Sequence, residues 1–144
     1  MFMSNNQPRH RNTPPRIMVV DDEKDILRII KRDLESNDSK ITFKVDAFSD
    51  SESALNAFNN HPNDYYDLVL TDIRMPKMNG FELYKEMDKI DNDVKVCFIT
   101  AFEVYYEALR EVFPSMEVEC FIRKPIEIGN LVKRIKNELN LPNL

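Results

Sequence analysis

Short apolar runs alternate with longer segments whose apolar residues recur every three to four positions, and this rhythm organises the chain from residue 16 to residue 140. Ile17-Met18-Val19-Val20 is apolar at every position, which predicts a strand buried on both faces. Ile26, Ile30 and Leu34 then line one side of a helix. Ile41 to Ala47 alternates, as a strand nearer a sheet edge does. Ser49 and Glu52 have capping-box spacing and open a helix carrying Leu55 and Phe58. Asp67 to Thr71 reads as the third strand, and Asn79-Gly80 as a turn before a helix with Phe81, Tyr84 and Met87. Val94 to Ile99 is the fourth strand. A helix with Val104, Ala108, Leu109 and Val112 ends before Pro114, and Val118 to Arg123 is the fifth strand. Leu131, Ile135 and Leu139 mark the last helix.

Five β/α units in about 125 residues suit one doubly wound parallel sheet of the α/β class. Residues 1–15 are polar, carry three prolines and show no periodicity, so a disordered leader is expected there, locally basic through Arg9, His10 and Arg11. One domain over residues 16–140 follows, with no output domain after it.

Composition narrows the function classes. A 42% hydrophobic content with 31% charged residues describes an ordinary globular chain without a membrane-spanning apolar run. The net charge of −5 argues against direct nucleic-acid binding, which needs a basic surface. Cys97 and Cys120 sit inside apolar runs without CxxC spacing, so they read as small core residues with no metal or redox role. No secretory signal is present, and a reducing cytoplasm fits best.

Ligands of open parallel sheets bind beyond the carboxyl ends of the strands. Four of the five predicted strands end there in reactive groups: Asp21 and Asp22, then Asp72, then Thr100, then Lys124. Three carboxylates brought together repel, and a divalent cation beside one lysine would balance them. Oxygen ligands without histidine or cysteine favour Mg²⁺ (or Mn²⁺). Such a site can receive a phosphoryl group, with an Asp carboxylate as nucleophile.

Taken together, Val-Val-Asp21-Asp22-Glu, Leu-Thr-Asp72-Ile-Arg-Met-Pro-Lys-Met-Asn-Gly80, Phe-Ile-Thr100-Ala101 and Phe121-Ile-Arg-Lys124-Pro125 resemble the response regulator receiver domains of two-component signalling, here in a stand-alone form. The resemblance implies a flavodoxin-like (βα)5 fold with strand order 2-1-3-4-5. It implies Asp72 as phosphoacceptor, Asp22 as direct Mg²⁺ ligand, Asp21 acting on the metal through water, and the Arg74 carbonyl as a further ligand. Lys124 and Thr100 would meet the phosphoryl oxygens. Phe121 is either the aromatic that changes rotamer with Thr100 or a plain core residue. The Lys124-Pro125 bond is expected to be cis. The donor would be a histidine kinase or histidine phosphotransfer protein, and the protein a cytoplasmic signalling phosphoprotein of a phosphorelay rather than an enzyme.

The stretch Ala101 to Val118 departs from the family pattern, being bulky and without glycine, so the output face of the helix near residues 104–112, the fifth strand and the last helix stays open. Tyr105 and Tyr106 are partner contacts or half-buried packing. Arg74 could tune the lifetime of the acyl phosphate. Two competing readings are a phosphatase of the haloacid dehalogenase kind, which needs an acid where Arg74 stands, and a receiver-fold binding module that works without phosphorylation.

Overall fold

The computed structural model describes residues 13–36, 41–101 and 120–142. Its strands are β1 (Arg16–Val20), β2 (Lys44–Phe48), β3 (Leu68–Asp72), β4 (Val96–Thr100) and β5 (Phe121–Arg123). Its helices are α1 (Lys24–Glu35), α2 (Ser51–Asn60), α3 (Gly80–Ile90) and α4 (Ile128–Glu138). All strand pairs are parallel, in the order β2-β1-β3-β4-β5. The helix expected near residues 104–112, its tyrosines Tyr105 and Tyr106, and residues 1–12 of the expected leader lie outside the described residues.

Alternation along the strands divides the core in two. Ile17 and Val19 of β1 and Leu68 and Leu70 of β3 pack with Leu27, Ile30 and Leu34 of α1 and with Leu131 and Ile135 of α4. Met18, Val20 and Val69 face the other way, onto Ala54 and Phe58 of α2 and Leu83 and Met87 of α3. Each fully buried side chain of this size contributes about 1.5–3 kcal/mol, more than differences in helix propensity, so burial sets how each helix is rotated. That is why the most deeply buried residue of the first turn of α1 is Leu27, with Ile26 on the flank. In α3 the inward residues are Leu83 and Met87, while Phe81 and Tyr84 turn edgewise to Phe98.

Three local expectations need correction. The cap of α2 is Asp50, whose side chain accepts from the Ser53 N–H, and not Ser49. A capping box does occur, at the start of α3, where Asn79 and Glu82 satisfy each other's backbone N–H groups. Cys97 and Cys120 are buried as expected but are joined by a disulfide. Pro15, assigned to the leader, already takes part in the sheet margin: its carbonyl accepts from the Lys44 N–H at 2.9 Å.

Candidate functional site

The carboxyl ends of β1, β3 and β5 converge on one acidic pocket. Asp21 directly follows β1; its N–H donates to the Phe48 carbonyl at 3.1 Å and its Oδ1 accepts from the Glu23 N–H at 2.9 Å. Both contacts fix a carboxylate that is fully buried. Asp72 ends β3, and its Oδ1 accepts from the Ile73 N–H at 2.7 Å. Asp22 is exposed at the pocket mouth. Carboxylate oxygens of Asp21, Asp22 and Asp72 lie within 4.8 Å of one another.

Lys124, just past β5, supplies the positive charge. Its Nζ is 3.2 Å from Asp72 Oδ2, 2.8 Å from Asp21 Oδ2 and 3.4 Å from Glu23 Oε1. The approach to Asp21 is oblique, so Oδ2 of this buried carboxylate has an ion pair but no directed hydrogen bond. Burial raises the Asp72 pKa above its ordinary value and the Asp21 charge adds to this, with Lys124 opposing both. Burial works against the Lys124 charge too, yet Asp21 and Asp72 outweigh it and raise the lysine pKa. One lysine therefore serves several carboxylates, and an under-coordinated buried oxygen faces the cluster. Hard oxygen donors in this number fit a divalent cation such as Mg²⁺.

Gly80 lets α3 start against the end of β3. A Cβ there would run into the Asp72 carbonyl oxygen and stand 3.0 Å from Ile73 Cα. The Gly80 N–H donates to the Ile73 carbonyl at 2.8 Å, closing the loop that leaves Asp72. Lys77 in that loop has a φ of 68°, and Ser51 Oγ donates to the Met78 carbonyl at 2.7 Å, which ties the loop to the start of α2. Sequence reading took Gly80 for a turn residue and missed both its close approach to Asp72 and the reach of Glu23 to Lys124. The adjacency of Glu23 to Asp21-Asp22 was the available signal for the latter.

Of the other expected site residues, Thr100 ends β4 in register with Arg123, and its side chain lies outside what is described. The Phe121 ring is half-buried and stacks on Phe98 with centroids 5.7 Å apart. Arg74 is exposed on the β3–α3 loop beside a cleft lined by Met75, Pro76, Asn79 and Phe81. The Lys124-Pro125 peptide bond is cis, as expected.

Comparison with known proteins places the fold in a family. The family model of the response regulator receiver domain matches residues 17–136. The response regulator receiver protein CpdR of Brucella abortus is 32% identical over 124 residues, covering 86% of this chain and 96% of its own. The transcriptional regulatory protein PrrA of Mycobacterium bovis is 29% identical over 86% of this chain, which spans only 49% of PrrA. Among solved structures, a receiver domain protein from Clostridium thermocellum superposes with a TM-score of 0.73 at 30% identity, over 88% of this chain and 94% of that one. A CheY-like receiver domain protein from Methanospirillum hungatei gives 0.75 at 25% identity, over 89% and 95%. With its five parallel strands in the order 2-1-3-4-5 and its acidic pocket at their carboxyl ends, the chain belongs to the response regulator receiver domain family of two-component systems.

Proposed function

We propose that the chain accepts a phosphoryl group on Asp72 from a phosphohistidine of a histidine kinase or phosphotransfer protein. The observation that carries this reading is the cluster itself, three carboxylates within 4.8 Å of one another with one lysine Nζ 3.2 Å from Asp72. An Asp72 carboxylate oxygen attacks phosphorus, the new P–O bond replaces the P–N bond, and the electron pair of the broken bond stays on the imidazole nitrogen. Lys124, held between Asp21 and Asp72, pairs with an incoming phosphoryl oxygen as the Asp72 charge is consumed. The Thr100 hydroxyl donates to a second oxygen. Asp21, Asp22, Asp72 and the Arg74 carbonyl would hold Mg²⁺, which when bound neutralises charge on the transferred group. Arg74 on the exposed loop governs how long the acyl phosphate lasts.

The modification acts by shifting the population of arrangements around Thr100 and Phe121, and the message passes to another protein. The role is that of a cytoplasmic signalling protein that promotes its own phosphorylation and is not a turnover enzyme. The test is incubation with a small acyl phosphate, with and without Mg²⁺, followed by intact mass of wild type and Asp72→Asn. A Mg²⁺-dependent gain of one phosphoryl group in the wild type alone is expected. No gain under any condition would leave the phosphorylation-independent binding module as the better reading.

A further inference from the structure

The disulfide sits at one end of the strand that delivers the site lysine. Phe98 and Phe121 are register partners of parallel β4 and β5, so the residues before them, Cys97 and Cys120, are cross-strand neighbours, with Cα atoms 4.7 Å apart. β5 is three residues long, lies at the sheet edge and pairs with β4. A strand this short makes few backbone hydrogen bonds and belongs to the part of a fold that opens first. A covalent bond at Cys120, the residue directly before it, therefore changes its mobility more than the same bond would beside β1 or β3. Lys124, whose Nζ reaches Asp72 and Asp21, follows its last residue.

We propose that Cys97 and Cys120 are a reversible dithiol–disulfide pair whose state sets how firmly β5 is fastened to β4. Both sulfurs are buried, with Cys97 1% and Cys120 3% exposed, so a reactant of the size of a small disulfide reaches them when the β5 edge opens. A Glu138 carboxylate oxygen lies within 4.8 Å of both sulfurs and provides an acceptor for the proton that a thiol sheds on attack. In the oxidising direction one cysteine thiolate attacks a low-molecular-weight disulfide, forming a mixed disulfide and expelling one small thiol. The second cysteine thiolate then displaces the other small thiol and closes the Cys97–Cys120 bond. Two electrons pass from the protein to the small disulfide, and the two thiol protons leave with the two small thiols. A dithiol reductant runs the steps backwards. Lasting disulfides are rare where glutathione and thioredoxin keep thiols reduced, and a pair that changes state would be closed or open according to the thiol poise around it.

The test uses the folded full chain and involves no phosphorylation, so it stands apart from the reading of Asp72. The protein is equilibrated in a graded series of reduced and oxidised glutathione, free thiols are alkylated, and the oxidised fraction is read by intact mass. Hydrogen exchange of peptides spanning residues 121–126 is followed in both states. The oxidised fraction is expected to change progressively and reversibly across the series. Exchange over β5 should be about tenfold faster in the reduced form, with β1 and β3 unchanged. A Cys97→Ala/Cys120→Ala double variant is expected to exchange like the reduced protein in every buffer; should it not fold, the reduced wild type supplies the same comparison. A bond that stays closed until the protein unfolds would overturn the proposal, as would thiols that never pair. So would a loosening spread evenly over the whole sheet.

Discussion

Lys124 Nζ lies 3.2 Å from Asp72 Oδ2 although the two residues are 52 positions apart in the chain. The same ammonium is 2.8 Å from the buried Asp21 carboxylate. Two like charges thus share one counter-charge, and removing the lysine leaves both without it.

Lys124→Met is accordingly expected to destabilise the protein by about 3 kcal/mol when no divalent cation is present, the scale of breaking one side of a buried ion pair. Added Mg²⁺ should recover part of the loss, because it replaces the missing positive charge; urea unfolding with and without MgCl₂ measures both. Burial opposes the Lys124 charge, but its two carboxylates raise its folded pKa above the ordinary 10.5. Its contribution is therefore complete below that value and is lost as pH climbs through the folded pKa. The alkaline fall in stability should be shallower in Lys124→Met. Equal alkaline slopes would mean that the ion pairs do not hold the lysine charged.

Asp72 carries the opposite sign. Burial, reinforced by Asp21, raises its folded pKa above 3.8, so between that value and the folded pKa the native state binds more protons than the unfolded one. Stability falls as pH rises through this window, and at neutral pH the ionised carboxylate is a burden unless a cation is bound. Asp72→Asn should melt a few degrees higher than wild type at pH 7 without Mg²⁺. The gap should close as pH falls towards 4 and also when Mg²⁺ is added to the wild type. Thermal melts across pH provide the check, and a wild type more stable than Asp72→Asn at pH 7 would contradict the assigned burial cost.

Most of this arrangement was legible because strand-end chemistry is short-range information. Val20-Asp21, Thr71-Asp72 and Arg123-Lys124 each place a reactive group directly after apolar residues, and the parallel sheet brings such ends together. Rotation of the helices was less legible, since Ile26 and Leu27 both belong to the apolar stripe of α1 and only packing decides which goes deeper. The Cys97–Cys120 bond was not legible at all. Its partners are 23 residues apart, and their pairing depends on the register of β4 with β5, which no local spacing reveals.

The start of α2 separates two readings of one short segment. Ser49 and Glu52 have capping-box spacing, yet Asp50 Oδ1 accepts from the Ser53 N–H at 2.7 Å and Oδ2 from the Ser53 hydroxyl at 2.9 Å. Asp50→Ala should cost about 1 kcal/mol in chemical denaturation, and Ser49→Ala only a few tenths. The Ser53 hydrogen bonds lower the Asp50 pKa below 3.8, so the cap contribution is present above that value and fades as pH drops through the folded pKa. A larger loss from Ser49→Ala than from Asp50→Ala would restore the sequence-based assignment.

The chain has only two glycines, both within helices, and the structure gives substitution at each the opposite sign. Helix propensity alone favours alanine over glycine by about 1 kcal/mol at an interior position. At Gly129 of α4 a Cβ would meet nothing within 4 Å, so propensity should win and Gly129→Ala should stabilise by about 0.5–1 kcal/mol. At Gly80 the Cβ would strike the Asp72 carbonyl oxygen and crowd Ile73 Cα, both backbone atoms that no rotamer change can move. Gly80→Ala should therefore destabilise by about 2–3 kcal/mol, the cost of forcing a packed segment apart. It should also slow labelling of Asp72 by an acyl phosphate, because relief of the clash shifts the carboxylate away from Lys124. Paired urea titrations of the two variants decide the matter: a stabilising Gly80→Ala with unchanged labelling would show that α3 does not position Asp72.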